Sequence, residues 1–198
     1  MNSNMIKRKQ NKIISLIFIC ALCAFFGVTV SAQGVTDSAG LQAAINEASP
    51  GDTVSIAENI TLTGTLAVNK SLTFKGENGN VSIFPETDAR HMTVTGDNVV
   101  LKFDGVILDG GNTGGGIFSS ADSLTLEDAE IKDCKAGNGG GIYSTKDLII
   151  RDSRITGNKS SANGGGVYGF EHITISKTVL SGNTAAENGG AVYIDDHA

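Results

Sequence analysis

Gly114-Gly115-Gly116-Ile117-Phe118, Gly139-Gly140-Gly141-Ile142-Tyr143, Gly164-Gly165-Gly166-Val167-Tyr168 and Gly189-Gly190-Ala191-Val192-Tyr193 are copies of one phrase, each 25 residues after the last. Repetition at a fixed period of 20 to 50 residues marks a solenoid, in which a unit too small to bury its own apolar face stacks on its neighbours. Between copies lie two more apolar segments. One alternates, as in Leu124-Thr125-Leu126, Leu148-Ile149-Ile150 and Ile173-Thr174-Ile175. The other is a single apolar residue three before a polar one: Ile131 to Cys134, Ile155 to Asn158, Leu180 to Asn183. Alternation over so few residues is a strand signal, and no segment is long enough for a helix. Three strands and three turns close one triangular coil, and successive coils pair in parallel about 4.8 Å apart. The fold class read from this is all-β, a parallel β-helix. It is given the right hand by the general preference of parallel crossovers. A leucine-rich repeat needs a Leu-x-x-Leu-x-Leu core and a helical return limb, which these units lack.

Glycine is suited to the corners because it takes φ > 0 and close backbone approach without a Cβ penalty. The repeat positions Gly115, Gly116, Gly140, Gly141, Gly165, Gly166, Gly189 and Gly190 are read as structural. Asn138, Asn163 and Asn188 precede the triplets in register, and Asn158 and Asn183 form a second column that Cys134 interrupts. Asn tolerates the left-handed region and its amide bonds nearby backbone. Both columns are read as amide ladders that satisfy corners, in preference to a ligand site.

Outward from the repeat, residues 1–32 read as a secretory signal peptide. Lys7, Arg8, Lys9 and Lys12 form the basic segment, Ile13 to Val30 the apolar one, and Val30-Ser31-Ala32 a small-residue cleavage site. The alternative reading, a membrane anchor, is disfavoured by that site. Fifteen bases and 21 acids give the chain −6; four of the bases lie in the leader, so eleven face 21 acids afterwards, about −10. Nucleic acids and anionic membranes call for basic patches, so neither is an expected partner. Cys134 is the one cysteine beyond the leader, too few for an internal disulfide.

Residues 33–52 are read as an N-terminal cap built on a helix from Asp37 to Ser49. Asp37 or Ser38 caps it, Leu41, Ala44, Ile45 and Ala48 share one face, and Pro50-Gly51 ends it. Residues 53–198 are the β-helix, about five coils and a fragment. The chain reaches Ala198 just after a coil's first strand, so the C-terminal end is expected to be incomplete or uncapped. The 25-residue register sets in at Met92, with Val99 and Leu101 stacked under Leu124 and Leu126, and Val106 under Ile131.

The Gly-Gly-[Gly/Ala]-[Ile/Val] phrase preceded by Ile155-Thr156-Gly157-Asn158 or Leu180-Ser181-Gly182-Asn183 resembles the repeats of the chlamydial polymorphic outer membrane proteins. These carry Gly-Gly-Ala-Ile and Phe-x-x-Asn motifs on a β-helical passenger. The resemblance covers about residues 114–194 and implies a cell-surface or outer-membrane protein with an adhesive role. Here Ile or Leu replaces Phe, the copy Ile131-Lys132-Asp133-Cys134 lacks the Asn, and the family's C-terminal translocator barrel is not represented. The entry from the Asp37 helix to Lys75-Gly76 is similar to the start of pectate-lyase-like β-helices, a likeness of fold that implies no activity.

Polysaccharide lyases and hydrolases need converging carboxylates, with a base in the lyases. One surface column here holds Lys102, Glu127, Arg151 and Ser176, and the next Phe103, Asp128, Asp152 and Lys177. Asp128 and Asp152, with Arg151, are the runner-up catalytic candidates, and alternating signs make a surface ion network the preferred reading. Acidic turn residues Asp109, Asp128 and Asp152 offer oxygens to calcium, but no metal-ligand spacing supports a site, and no cofactor motif is present. The function read from the sequence is a secreted or cell-surface β-helix with a structural or adhesive role, binding a glycan or protein receptor without catalysis. A polysaccharide lyase or hydrolase on the same fold is the alternative.

Overall fold

The computed structural model describes residues 34–195. The signal-peptide reading at 1–32 lies outside the described residues, as do 196–198. One helix, α1 (Ser38–Glu47), precedes the strands. The first rung is β1 (Thr53–Ile56), β2 (Ile60–Thr61) and β3 (Leu66–Val68); the second is β4 (Leu72–Gly76), β5 (Val81–Phe84) and β6 (Met92–Val94); the third is β7 (Asn98–Asp104), β8 (Val106–Asp109) and β9 (Ile117–Ser119). The fourth adds a short extra strand: β10 (Ser123–Glu127), β11 (Glu130–Lys132), β12 (Lys135–Ala136) and β13 (Ile142–Ser144). The fifth repeats it as β14 (Asp147–Arg151), β15 (Arg154–Thr156), β16 (Lys159–Ser160) and β17 (Val167–Gly169). So does the sixth, with β18 (Ile173–Ser176), β19 (Val179–Ser181), β20 (Thr184–Ala185) and β21 (Val192–Ile194).

Corresponding strands pair in parallel into three six-stranded sheets, and the extra strands form a fourth sheet of three. About five full turns connect the six rungs, a parallel β-solenoid. Side chains alternate in and out along each strand, as in the pattern of β7, where Val99, Leu101 and Phe103 are buried and their neighbours exposed. The inward residues stack on their own equivalents. Leu72, Leu101, Leu126, Ile150 and Ile175 form one column. Ile60, Ile83, Leu108, Ile131, Ile155 and Leu180 form a second. Leu66, Met92, Ile117, Ile142, Val167 and Val192 form a third. Each fully buried aliphatic side chain contributes roughly 1.5–3 kcal/mol, so the core is a set of aliphatic columns.

Two details differ from the sequence reading. Ile131 pairs with Leu108, and Val106 pairs back to Val81. The cause lies in the first sheet. There β4 and β7 run on to Lys75 and Asp104, and Phe74 stacks on Phe103 with centroids 5.4 Å apart. That longer first side delays the third coil's corner by two residues, and its glycine corner is shorter in compensation. For the same reason Phe103 leaves the proposed surface column: it points inward and is buried. The second difference is the fourth short side, β12, β16 and β20, which follows the column Cys134, Asn158, Asn183 and makes the last three coils four-sided.

Helix α1 packs on β1 and β3 with Leu41 and Ile45 buried. Asp37 caps it by accepting the Gly40 amide at 2.7 Å. The helix also satisfies a strand edge. Gln42 accepts from the Ala67 amide (2.8 Å) and donates to the Ala67 carbonyl (3.1 Å), so its side-chain amide stands in for the backbone of a neighbouring strand. Such pairing removes the open edge that would otherwise template association.

The glycine phrase is where backbones come closest. A Cβ added to Gly140 would lie 2.4 Å from the Gly165 carbonyl oxygen and 2.7 Å from the Lys159 carbonyl, and one on Gly165 would lie 2.3 Å from that of Gly190. By contrast, a Cβ on Gly137 meets nothing within 4 Å. Gly140→Ala is therefore expected to destabilise by about 2 kcal/mol or more, as overpacking against rigid backbone does. Gly137→Ala should stay within about 0.5 kcal/mol of the parent. Denaturant unfolding of the two variants side by side checks this, and equal effects would refute it.

Candidate functional site

Asp128 and Asp152 occupy the corner between the first and second sheets in adjacent coils, both in the left-handed region (φ 53° and 49°). Their side chains are 48% and 50% exposed, and each has its own cation. Lys102 lies 3.4 Å from Asp128 and Lys177 lies 3.8 Å from Asp152. Arg151 turns to Glu127 at 3.7 Å. These are solvated ion pairs along a sheet face, each contributing little to stability. Asp109 is taken by Lys132 at 3.1 Å. Among the described residues, no three His, Cys, Asp or Glu side chains group as a metal ion would need.

The amide columns are hydrogen-bonded from coil to coil. Asn158 accepts the Cys134 amide at 2.9 Å and donates to the Ile131 carbonyl at 3.0 Å and to Asn183 Oδ1 at 3.0 Å; Asn183 donates on to the Ile155 carbonyl at 2.7 Å. Asn138, Asn163 and Asn188 form the second ladder, in which Asn163 Oδ1 accepts both the backbone and side-chain N–H of Asn188 at 3.0 Å. Both columns bond chiefly to the protein's own corners, and the Asn163 amide also donates to Glu187 at 3.0 Å. Asn158 is fully buried, so Asn158→Ala would strand the Cys134 amide and the Ile131 carbonyl. We expect a loss of about 2 kcal/mol or more, against a much smaller loss for the exposed Asn188→Ala, both read by denaturant titration.

The second coil solves the same corner with different residues. Arg90 donates to the Gly139 and Asn138 carbonyls, both at 2.7 Å. His91 is buried; its Nδ1 accepts the Gly116 amide at 2.8 Å, which leaves Nε2–H to donate to the Ile83 carbonyl at 2.8 Å. Burial lowers the His91 pKa to about 4, against the pull of its carbonyl partners. Cys134 lies against this corner with its thiol at 3.2 Å from the Lys132 carbonyl, and burial pushes that thiol up to about 12. It is a packed side chain and not a nucleophile. Between pH 6.5 and 4 the unfolded chain holds the His91 proton and the folded chain does not. Stability therefore falls as pH drops through that window, by about 2 kcal/mol from pH 7 to pH 5. Unfolding midpoints at the two pH values check this, and an unchanged pH slope in His91→Gln would remove His91 as the cause.

The exterior of the third sheet carries a feature that the sequence reading left unassigned. Phe118, Tyr143, Tyr168 and Tyr193 stack in register, with centroids 5.3, 5.0 and 5.4 Å apart. Phe170, from the following turn, folds back onto Tyr168 (5.3 Å) and Tyr143 (6.0 Å). Tyr168 donates to Asp195, and burial together with that bond pushes its phenol pKa up. Beside this ladder opens a cleft of about 690 Å³ lined by Tyr143, Thr145, Phe170, Glu171, Ile194 and Asp195, with the exposed His172 alongside. The signal for it was present as the recurring aromatic at the end of each glycine phrase.

Residues 177–195 match the model of the Chlamydia polymorphic membrane protein (Chlamydia_PMP) repeat. That stretch covers β19, the Asn183 corner, the last glycine phrase and β21, which is most of one rung. No curated protein and no solved structure matches the chain. Among the described residues no helix is long and apolar enough to cross a membrane, a statement about helices that says nothing of β-barrels. The matched repeat, lying on one rung of a parallel β-solenoid, makes this chain similar to polymorphic membrane protein-like β-helix repeat proteins.

Proposed function

We propose that this chain is exported through a cleaved leader at 1–32 and acts at a cell surface or in the surrounding medium as a structural and adhesive element, without catalysis. The observation that carries the reading is the polymorphic membrane protein repeat lying on one rung of a stack whose equivalent rungs repeat the same corners. A rigid solenoid presents an extended face, which suits contact with a glycan or protein receptor. The absence of catalysis is supported by the state of the candidate carboxylates. Asp128 and Asp152 are half-exposed and each is paired with a separate lysine, so no desolvated pair is poised for acid and base roles.

The test offers the purified folded chain to cultured cells and to a panel of acidic and neutral polysaccharides. The expected result is saturable attachment to cells, no new reducing ends and no unsaturated uronate absorbance, with Asp128→Asn and Asp152→Asn attaching like the parent. Product formation that disappears in those two variants would make the protein a polysaccharide-active enzyme. Failure to attach to any cell would remove the adhesive role.

A further inference from the structure

One exposed aromatic ring stands on the side of the solenoid beside the tyrosine ladder. The exposed large apolar residues among those described are Val100, Phe170, Val179 and Ile194; Val179 and Ile194 lie on the last described rung, where no described coil covers them, whereas Phe170 (37%) lines the cleft beside the aromatic ladder from the rung before. Phe170 is also a departure from the repeat. Gly169 pairs with Ser144, which pairs with Ser119, so the residues before Phe170 in its column are Thr145 and Ser120. Ser144 closes its turn by donating to the Lys146 carbonyl at 3.0 Å. Gly169 has no hydroxyl to do so, and its turn instead sets a phenyl ring over Tyr143 and Tyr168. An exposed aromatic placed where the repeat has Thr or Ser gains nothing for solubility and points to a ligand.

The polar groups narrow the ligand class. Glu171 is neutralised by Lys146 at 2.8 Å, His172 faces Asp147 at 3.1 Å, and Asp195 accepts from the Tyr168 hydroxyl. With its charges engaged in this way, the cleft has little to hold a free cation, and in a chain of net charge −6 it repels an anion. What it offers is an apolar ring floor edged by acceptors and donors. Glu171 can accept from one hydroxyl, and the Thr145 hydroxyl from its neighbour. A pyranose has this pattern, with C–H groups on one face and neighbouring hydroxyls on its rim. The cleft volume of about 690 Å³ falls in the usual range for small-ligand sites.

We propose that this cleft binds a neutral hexopyranose unit of a glycan chain, stacked on Phe170 and Tyr143 and hydrogen-bonded by Glu171 and Thr145. The proposal deepens the adhesive reading and rests on it for its biological context.

The chain contains three tyrosines, all in the ladder, and no tryptophan, so tyrosine emission reports on this face alone. The purified chain is titrated with cellobiose, lactose and N,N′-diacetylchitobiose, with digalacturonate as the anionic control and choline as the cationic one. Saturation-transfer NMR serves as a second readout. The expected result is saturable binding of at least one neutral disaccharide. Phe170→Thr and Ile194→Ser should each weaken it tenfold or more with an unchanged melting midpoint, and neither control should compete. No saturable response to any neutral disaccharide, unaltered binding in both variants, or tighter binding of digalacturonate or choline would overturn it. Attachment to cells that persists in Phe170→Thr, with no disaccharide binding, would overturn the cleft while leaving adhesion standing. Disaccharide binding at the cleft without attachment to cells would support the cleft and sink adhesion.

Discussion

Parallel stacking at about 4.8 Å places every residue directly over its counterpart in the next coil. A side chain in such a stack must therefore be compatible with copies of itself. Aliphatic columns meet that demand through mutual burial, as in Leu101, Leu126 and Ile150. Asparagine meets it because an amide both donates and accepts, so that Asn158 and Asn183 bond each other and the carbonyls beneath. Aromatic rings meet it by tilting, as Tyr143 and Tyr168 do at 71°. Charges meet it only if signs alternate, and the order Lys102, Glu127, Arg151 along the first sheet follows from that.

The corners show the same constraint under greater crowding. Where coils pass at the glycine phrase, a Cβ on Gly140 or Gly165 would lie 2.4 or 2.3 Å from the carbonyl oxygen of the next coil. The second coil, which lacks the triplet, fills the equivalent space with Arg90 and His91; Arg90 donates to carbonyls of the fourth coil and His91 to the Ile83 carbonyl of its own. Burial holds His91 neutral, and its Nδ1 accepts the Gly116 amide. The polar interior is thereby satisfied throughout: no buried side-chain nitrogen or oxygen among the described residues lacks a partner. Cys134 stands at the junction between the two solutions, below Asn158 and beside the His91 corner.

A surface built from repeats gains local character where the repeat is broken. The ion-paired face of the first sheet is regular, and its carboxylates are each occupied by a neighbouring lysine. The third sheet is regular in its ladder and irregular at Phe170, where Gly169 replaces a turn-closing serine. That single change converts a polar turn into the wall of a cleft. The polymorphic membrane protein repeat at 177–195 contributes Ile194 and Asp195 to the same place, so the matched rung and the cleft share an edge.

The period of 25, the alternation within each strand and the glycine phrases were enough to establish a parallel solenoid, because a stack's core is periodic and periodicity is visible in one dimension. The helix before the first rung was legible from Asp37 and the Leu41–Ile45 face for a similar reason. How each coil divides its residues among its corners was settled in three dimensions. Ile131 pairs with Leu108 because Phe74 and Phe103 stack and lengthen one side, a packing choice with no local sequence signal. The same holds for the surface. Equal spacing suggested a column containing Phe103 and Asp128, yet one points inward and the other turns a corner. The cleft needed Tyr143, Phe170 and Ile194, from three different rungs and turns, to meet on one face. Only the tertiary register decides which side chains become neighbours there, because a corner longer or shorter by two residues moves every contact after it.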